Sequence, residues 1–348
     1  MKNQSEAQKK YDSYMWFLAA AEQGNAYAQF NLALMYKKGQ GVVRDDAIAF
    51  EWMRRAAEQG LAFAQNHLGA MFFNGRGTES SDVEAAHWFR RAAVQGEASA
   101  QQNLGQMYKR GRGVPLSSEM ALSWFCRAAE QGVATAQTLL GEAYAHAEGT
   151  KRSFPLAMAW FRKAALQGDA TAQLNLGLMY RHGLGVQQND ARALEWFRQA
   201  AAQGDPVAQR QVGVAYAEGR GVAVDLLRAY AWLARAAEQD DVDAQFSLGI
   251  MLDSGRGVEQ DDELAFSWYR RAAEAGHPSA QHNVGGMYAL GRGVAADLVQ
   301  AYKWMSLAAD GGERRARRSR KALAAGMTLA QLTEARELAR NWRARRAD

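Results

Sequence analysis

Residues 49–65 read AFEWMRRAAEQGLAFAQ. Within this stretch Trp52, Ala56, Ala57 and Gly60 are followed by Ala64-Gln65, and the same arrangement returns along the chain. Trp16, Trp52, Trp88, Trp124, Trp160, Trp196, Trp232, Trp268 and Trp304 stand 36 residues apart without a slip. Ala-Gln pairs keep the same phase from Ala28-Gln29 to Ala280-Gln281. A fixed period over most of a chain marks a repeat array rather than a series of unrelated globular domains.

Each unit resolves into two helices. Ala28, Leu32, Met35 and Tyr36 fall at i, i+4, i+7 and i+8, one stripe of an amphipathic first helix. Ala49, Trp52, Ala56 and Ala57 give the stripe of a second. The first helix ends at a Gly-x-Gly, such as Gly39 and Gly41, because glycine accepts the left-handed backbone of a helix terminus. The same position in successive units then holds Asp45, Ser81, Ser117, Ser153, Asn189, Asp225, Asp261 and Asp297, all N-cap formers. Pro206 and Pro278 open two first helices, where a missing N–H costs least.

One such helical pair cannot hide its apolar stripe, so units must stack on their neighbours. The expected fold is all-α, a solenoid of stacked helical pairs with a concave face. It divides into a half-unit cap over residues 1–25, eight units over 26–313, and a degenerate repeat with a basic capping helix over 314–348. In that last helix Thr328 and Gln331 are placed for a capping box, and Met327 and Leu332 for a hydrophobic staple. Leu332, Ala335, Leu338 and Trp342 should bury against the last unit. The in-phase tryptophans are expected in the core, each contributing up to roughly 4–6 kcal/mol. The fourth unit departs most, with Ala147 at a turn glycine and Lys151 to Pro155 in place of the usual loop, which predicts a local distortion.

Nearly half the residues are apolar and only four are proline, so a buried helical core is expected rather than disorder. Cys126 is the only cysteine, which rules out an internal disulfide and suits a reducing compartment. Met1 to Lys10 contain no apolar signal region, and no run of 18 apolar residues occurs, so a cytoplasmic, monomeric protein is expected. The net charge of +5 is uneven: residues 313–348 hold eleven Lys and Arg against four Asp and Glu, leaving about −2 on everything before them.

The repeated Ala-Gln, Leu-Gly, Met-Tyr, Gly-x-Gly-Val, Ala-x-x-Trp and Ala-Ala-Glu-Gln-Gly elements resemble the Sel-like repeat family, relatives of the tetratricopeptide repeat. Residues 100–114, AQQNLGQMYKRGRGV, follow its pattern almost without departure. The resemblance spans roughly residues 10–312 and implies a right-handed α/α superhelix of the kind that acts as a protein-interaction scaffold or adaptor. The single cysteine sets this chain apart from the disulfide-bonded branch of that family.

No catalytic, cofactor or metal motif stands out. The Gly-x-Gly loops lack a following Gly-Lys-Ser/Thr and a preceding strand, so they are not phosphate loops. His146 and His182 share a position in adjacent units but have no carboxylate or cysteine at ligand spacing. No nucleophile, base and orienter recur together, so no enzyme is expected.

Recognition must come from what the units do not share. By analogy with tetratricopeptide repeats, the first helix lines the concave face, where one variable column runs Phe30, Asn66, Gln102, Thr138, Leu174, Arg210, Phe246 and His282. The neighbouring turn adds Lys37, Lys38, Phe73, Asn74, Lys109, Arg110, Arg181 and His182. This aromatic and basic lining suits a partner-protein segment with acidic side chains. A dedicated inhibitor or immunity protein for one enzyme is the alternative of a different class. The second candidate surface is the C-terminal patch of Arg314, Arg315, Arg317, Arg318, Arg320 and Lys321 with Arg340, Arg343, Arg345 and Arg346, suited to nucleic acid or an anionic membrane surface. The loop arginines Arg76, Arg112, Arg220, Arg256 and Arg292 are read as solubilising.

Overall fold

A computed structural model describes residues 6–344 of the protein. The described residues are helical and contain no strand. In chain order the helices are α1 (Glu6–Glu22), α2 (Ala26–Lys38), α3 (Asp46–Glu58), α4 (Ala62–Asn74), α5 (Asp82–Val94), α6 (Ala98–Arg110), α7 (Ser118–Glu130), α8 (Ala134–His146), α9 (Phe154–Leu166) and α10 (Ala170–His182). They continue as α11 (Asp190–Ala202), α12 (Pro206–Glu218), α13 (Leu226–Glu238), α14 (Val242–Ser254), α15 (Asp262–Glu274), α16 (Pro278–Leu290), α17 (Leu298–Asp310), α18 (Arg314–Ala325) and α19 (Leu329–Ala344). The chain forms two compact units that divide between Ala172 and Gln173. Within each, successive helices pack on one another, as the repeat requires.

The helix boundaries follow from their end chemistry. All eight expected N-caps accept a hydrogen bond from the first turn of their helix, as Asp45 does from the N–H groups of Ala47 and Ile48. Gly39, Gly75 and Gly111 end first helices with φ of 64–66°. The second glycine of the pair answers to a different constraint: a β-carbon on Gly77 would stand 1.9 Å from the Asp46 carbonyl oxygen. That glycine lets each loop rest on the first turn of the preceding unit's second helix.

The expected distortion of the fourth unit is absent. Ala147 adopts φ 62°, ψ 35°, nearly the values of Gly39, and Ser153 caps α9 on schedule. A single left-handed alanine costs about 1–2 kcal/mol, less than disrupting the packing on either side.

The tryptophans also differ from expectation. Trp88, Trp124 and Trp304 are buried, Trp52, Trp160, Trp196, Trp232 and Trp268 are half-buried, and Trp16 is 66% exposed. A cation three residues on lies over six of these rings, from Lys163 on Trp160 at 4.0 Å to Arg271 on Trp268 at 4.7 Å. The next residue is buried throughout, at most 4% exposed in Met53, Phe89, Phe125, Phe161, Phe197, Leu233, Tyr269 and Met305. Its side chain packs against the helical glycine twenty residues earlier, as Phe125 does on Gly105.

Within each compact unit a half-buried amide ladder joins successive repeats. Gln101 Nε2 donates to the Ala93 carbonyl at 3.1 Å, and Gln131 Nε2 donates to Gln101 Oε1 at 2.8 Å. Gln29–Gln59, Gln65–Gln95, Gln137–Gln167, Gln173–Gln203 and Gln209–Gln239 repeat the side-chain pair. At the C-terminal end Thr328 and Gln331 form the expected reciprocal capping box. Ala335 is buried in α19, Leu332, Leu338 and Trp342 are half-buried, and Trp342 meets Trp304 edge-on at 6.3 Å.

Candidate partner-binding face

In the unit ending at Ala172, α2, α4 and α6 contain no carboxylate and carry Lys37, Lys38, Lys109 and Arg110. The 36-residue period places Lys37, Phe73 and Lys109 in one column, with Lys38, Asn74 and Arg110 beside them. Adjacent first helices touch along this face: Phe30 packs on His67 with centroids 5.5 Å apart, and Asn103 donates to Asn66 at 3.0 Å.

A small pocket lies where α4, α5 and α6 meet. A cavity of about 170 Å³ has Phe73, Phe89 and Met107 as its apolar walls and Asn103, Arg110 and Arg112 around its polar rim. The Arg112 guanidinium lies 4.1 Å over the Phe73 ring. Asp82, the first residue of α5, holds it through two hydrogen bonds, Nε to Oδ2 at 2.8 Å and Nη2 to Oδ1 at 2.7 Å. This fork fixes one cation of the rim, while Arg110 is exposed, with no ion-pair partner found among the described residues. The arrangement suits an apolar side chain flanked by a carboxylate.

Other residues expected on this face already have partners in the chain. Lys109 Nζ lies 2.8 Å from Glu148 and 3.9 Å from Glu142, whose carboxyl is pushed up by burial. Gln102 accepts from Thr135 at 2.6 Å, and Asn74 donates to the Ala70 carbonyl at 2.7 Å. His67 is held below its usual pKa first by burial and then by Lys37 and Lys38.

In the unit beginning at Gln173, the expected residues are largely engaged. Arg210 pairs with Asp241 at 3.0 Å and Asp243 at 3.5 Å, and Phe246 stacks on His277 at 4.3 Å. Arg181 Nη1 donates to Gln211; burial and then Arg220 pull its pKa below the ordinary arginine value. Its buried Nε has no hydrogen-bond partner, and His182 is exposed.

On the C-terminal helices Arg314, Arg315, Arg317, Arg318 and Arg340 are exposed. Arg320 and Arg343 converge on Asp310, from α18 and α19 respectively. Arg345 and Arg346 lie outside the described residues. Among the described residues, no cluster of three His, Cys, Asp or Glu side chains stands at metal-holding distance, and no helix is long and apolar enough to cross a membrane.

The loop arginines do more than solubilise. Arg112 reaches Asp82 and Arg292 reaches Asp262, each at the start of a second helix thirty residues earlier. The interval is present in the sequence but does not decide the contact, since Arg220, thirty residues after Asp190, pairs with Glu218 instead; at Arg112 it brings the guanidinium to the pocket.

Nine stretches match the family model described as the Sel1 repeat: residues 9–25, 26–61, 62–97, 98–133, 134–169, 170–205, 206–241, 242–277 and 278–313. The chain belongs to the Sel1 repeat family. It is 34% identical to a Sel1 repeat protein from Oxalobacter formigenes, covering 93% of this chain and 94% of that one, with a TM-score of 0.69. It is 31% identical to a protective antigen present in uropathogenic Escherichia coli strains, covering 94% of this chain and 78% of that one, with a TM-score of 0.63. No curated protein matches the chain. Sel1 repeats generally mediate protein–protein interaction, and Sel1 repeat proteins are typically non-enzymatic.

Proposed function

We propose that this Sel1 repeat protein is an adaptor that holds an acidic segment of a partner protein along α2, α4 and α6. The observation that carries this reading is the pocket at Phe73, Arg110 and Arg112, which opens beside α4 and α6, two helices without a carboxylate, and whose one nearby acid, Asp82 of α5, is already paired with Arg112. A partner side chain of Leu or Phe size would fill the apolar floor, and a neighbouring Asp or Glu would pair with Arg110. Lys37 and Lys38, two repeats earlier in the same columns, extend the cationic track. Lys109 and Arg210 support the fold through their own carboxylates and are not expected to read the partner directly.

Affinity capture followed by mass spectrometry identifies the partner, and the triple change Lys37→Glu, Lys38→Glu, Arg110→Glu tests the face. Capture should fall at least tenfold while the unfolding midpoint stays put. Phe73→Ala should weaken the same complex independently of charge. Undiminished capture by a folded triple variant rejects this face.

A further inference from the structure

We propose a second interaction surface, on α18, that binds the phosphate backbone of duplex nucleic acid without reading its sequence. Arg314, Arg317, Arg318 and Lys321 are spaced i, i+3, i+4 and i+7, so they occupy one stripe of the helix, and all four are exposed. The opposite stripe is Ala316, Ser319, Arg320 and Leu323. Ala316 is buried, Leu323 packs with it against Met305, Ala308 and Ala309 of α17, and Ser319 lies 3.4 Å from His282 of α16. The outward stripe is thus carried on a helix seated by its other face, and its orientation is set before any ligand arrives.

The nearby acids do not cancel it. Glu313, the N-cap, turns its carboxylate onto the Arg315 N–H at 3.1 Å and the Ser279 hydroxyl at 3.2 Å. Asp310 is occupied by Arg320, on the opposite stripe of α18, and by Arg343 of α19. Among the described residues, no ion pair involves Arg314, Arg317, Arg318 or Lys321. Four cations over about 10 Å of helix meet a ligand bearing one negative charge per roughly 1.7 Å of axis.

The composition of the stripe selects among anionic ligands. It presents no apolar side chain to enter a bilayer interface, as membrane-surface helices do. It offers no aromatic platform for unstacked bases, which single strands use. Guanidinium forks on phosphate oxygens remain, and a duplex backbone presents those at regular intervals.

A short fluorescent DNA duplex, titrated by anisotropy, tests this directly on the full chain. Binding should appear at low salt and weaken about 10²-fold between about 50 and 200 mM, as four phosphate contacts require. Arg314→Gln, Arg317→Gln, Arg318→Gln and Lys321→Gln combined should remove it with an unchanged unfolding midpoint. Arg317→Gln or Arg318→Gln alone should each lower the salt slope by about one, which keeps the test informative if the quadruple variant folds poorly. Matched removal of Lys9, Arg76, Lys151 and Arg162 should leave most of the binding. The proposal is overturned by no complex at low salt, by equal loss in the matched control, or by phosphatidylserine vesicles or polyglutamate binding as tightly as the duplex. These results are independent of the α2, α4 and α6 face.

Discussion

Phe161 is 2% exposed, and its ring edge lies 2.7 Å from where a β-carbon on Gly141 would stand. Trp160 beside it is only half-buried under Lys163. Phe161→Ala should therefore cost about 3–5 kcal/mol, and Trp160→Ala clearly less, as measured by urea unfolding; equal losses would restore the indole to the centre of the core. The first unit shows what the pair tolerates, since Ala33 stands at the glycine position opposite Met53, a flexible chain in place of a ring. A glycine pair separates two constraints in the same way. Gly75→Ala should cost about 1–2 kcal/mol, the price of a left-handed alanine, as Ala147 already illustrates. Gly77→Ala adds a β-carbon 1.9 Å from the Asp46 oxygen and should cost more than about 3 kcal/mol. Similar unfolding midpoints for the two variants would show that the close approach is unimportant.

At the scale of the element, capping and the amide ladder decide how one hairpin joins the next. Gln101 satisfies the Ala93 carbonyl at the end of α5 and accepts from Gln131 at the end of α7. Gln101→Leu removes both bonds but leaves the Ala93 carbonyl the Gly96 N–H and Gln131 the Gly96 carbonyl, so it should cost about 0.5–1.5 kcal/mol. A double-mutant cycle with Gln131→Leu should show coupling, and strict additivity would deny the ladder a role. The seventh and eighth units have Ala275 and Gly311 where this second glutamine stands in the first six, and Gln245 donates to Asp240 at 3.3 Å as well as to the Ala237 carbonyl. Asp240 also occupies the left-handed position of a turn glycine, with φ 64°.

For the molecule as a whole, acid sensitivity should arise in both units. His67 and His277 are each held below the ordinary value of 6.5, first by burial. As pH falls through that value the unfolded chain takes up protons that the folded one resists, so stability falls from about pH 6.5 downward. Glu142, pushed up by burial, acts in the opposite sense. The informative quantity is the difference between the native protein and the His67→Gln, His277→Gln variant in urea midpoints at pH 7.5 and 5.5. The variant should lose less on acidification; an identical loss would mean that the two rings titrate freely in the fold.

Period, helix limits and caps were legible in the sequence because each depends on residues within one or two turns: Asp45 caps the helix it precedes, and Gln331 reaches back to Thr328. Stacking was legible too, because a stripe such as Ala28, Leu32 and Met35 has no other way to leave water. Which variable residues stay available was not. Lys109 and Arg110 are neighbours in sequence, yet Glu142 and Glu148 of the following repeat pair only with Lys109. Arg112 looked like loop solubility until Asp82, thirty residues earlier, placed it over Phe73. The sequence by itself determined the repeat and its helices, since those follow from local chemistry multiplied by a period. Only the tertiary structure decided which charges remain unpaired and where a pocket opens, since both depend on side chains that stacking brings together from different repeats.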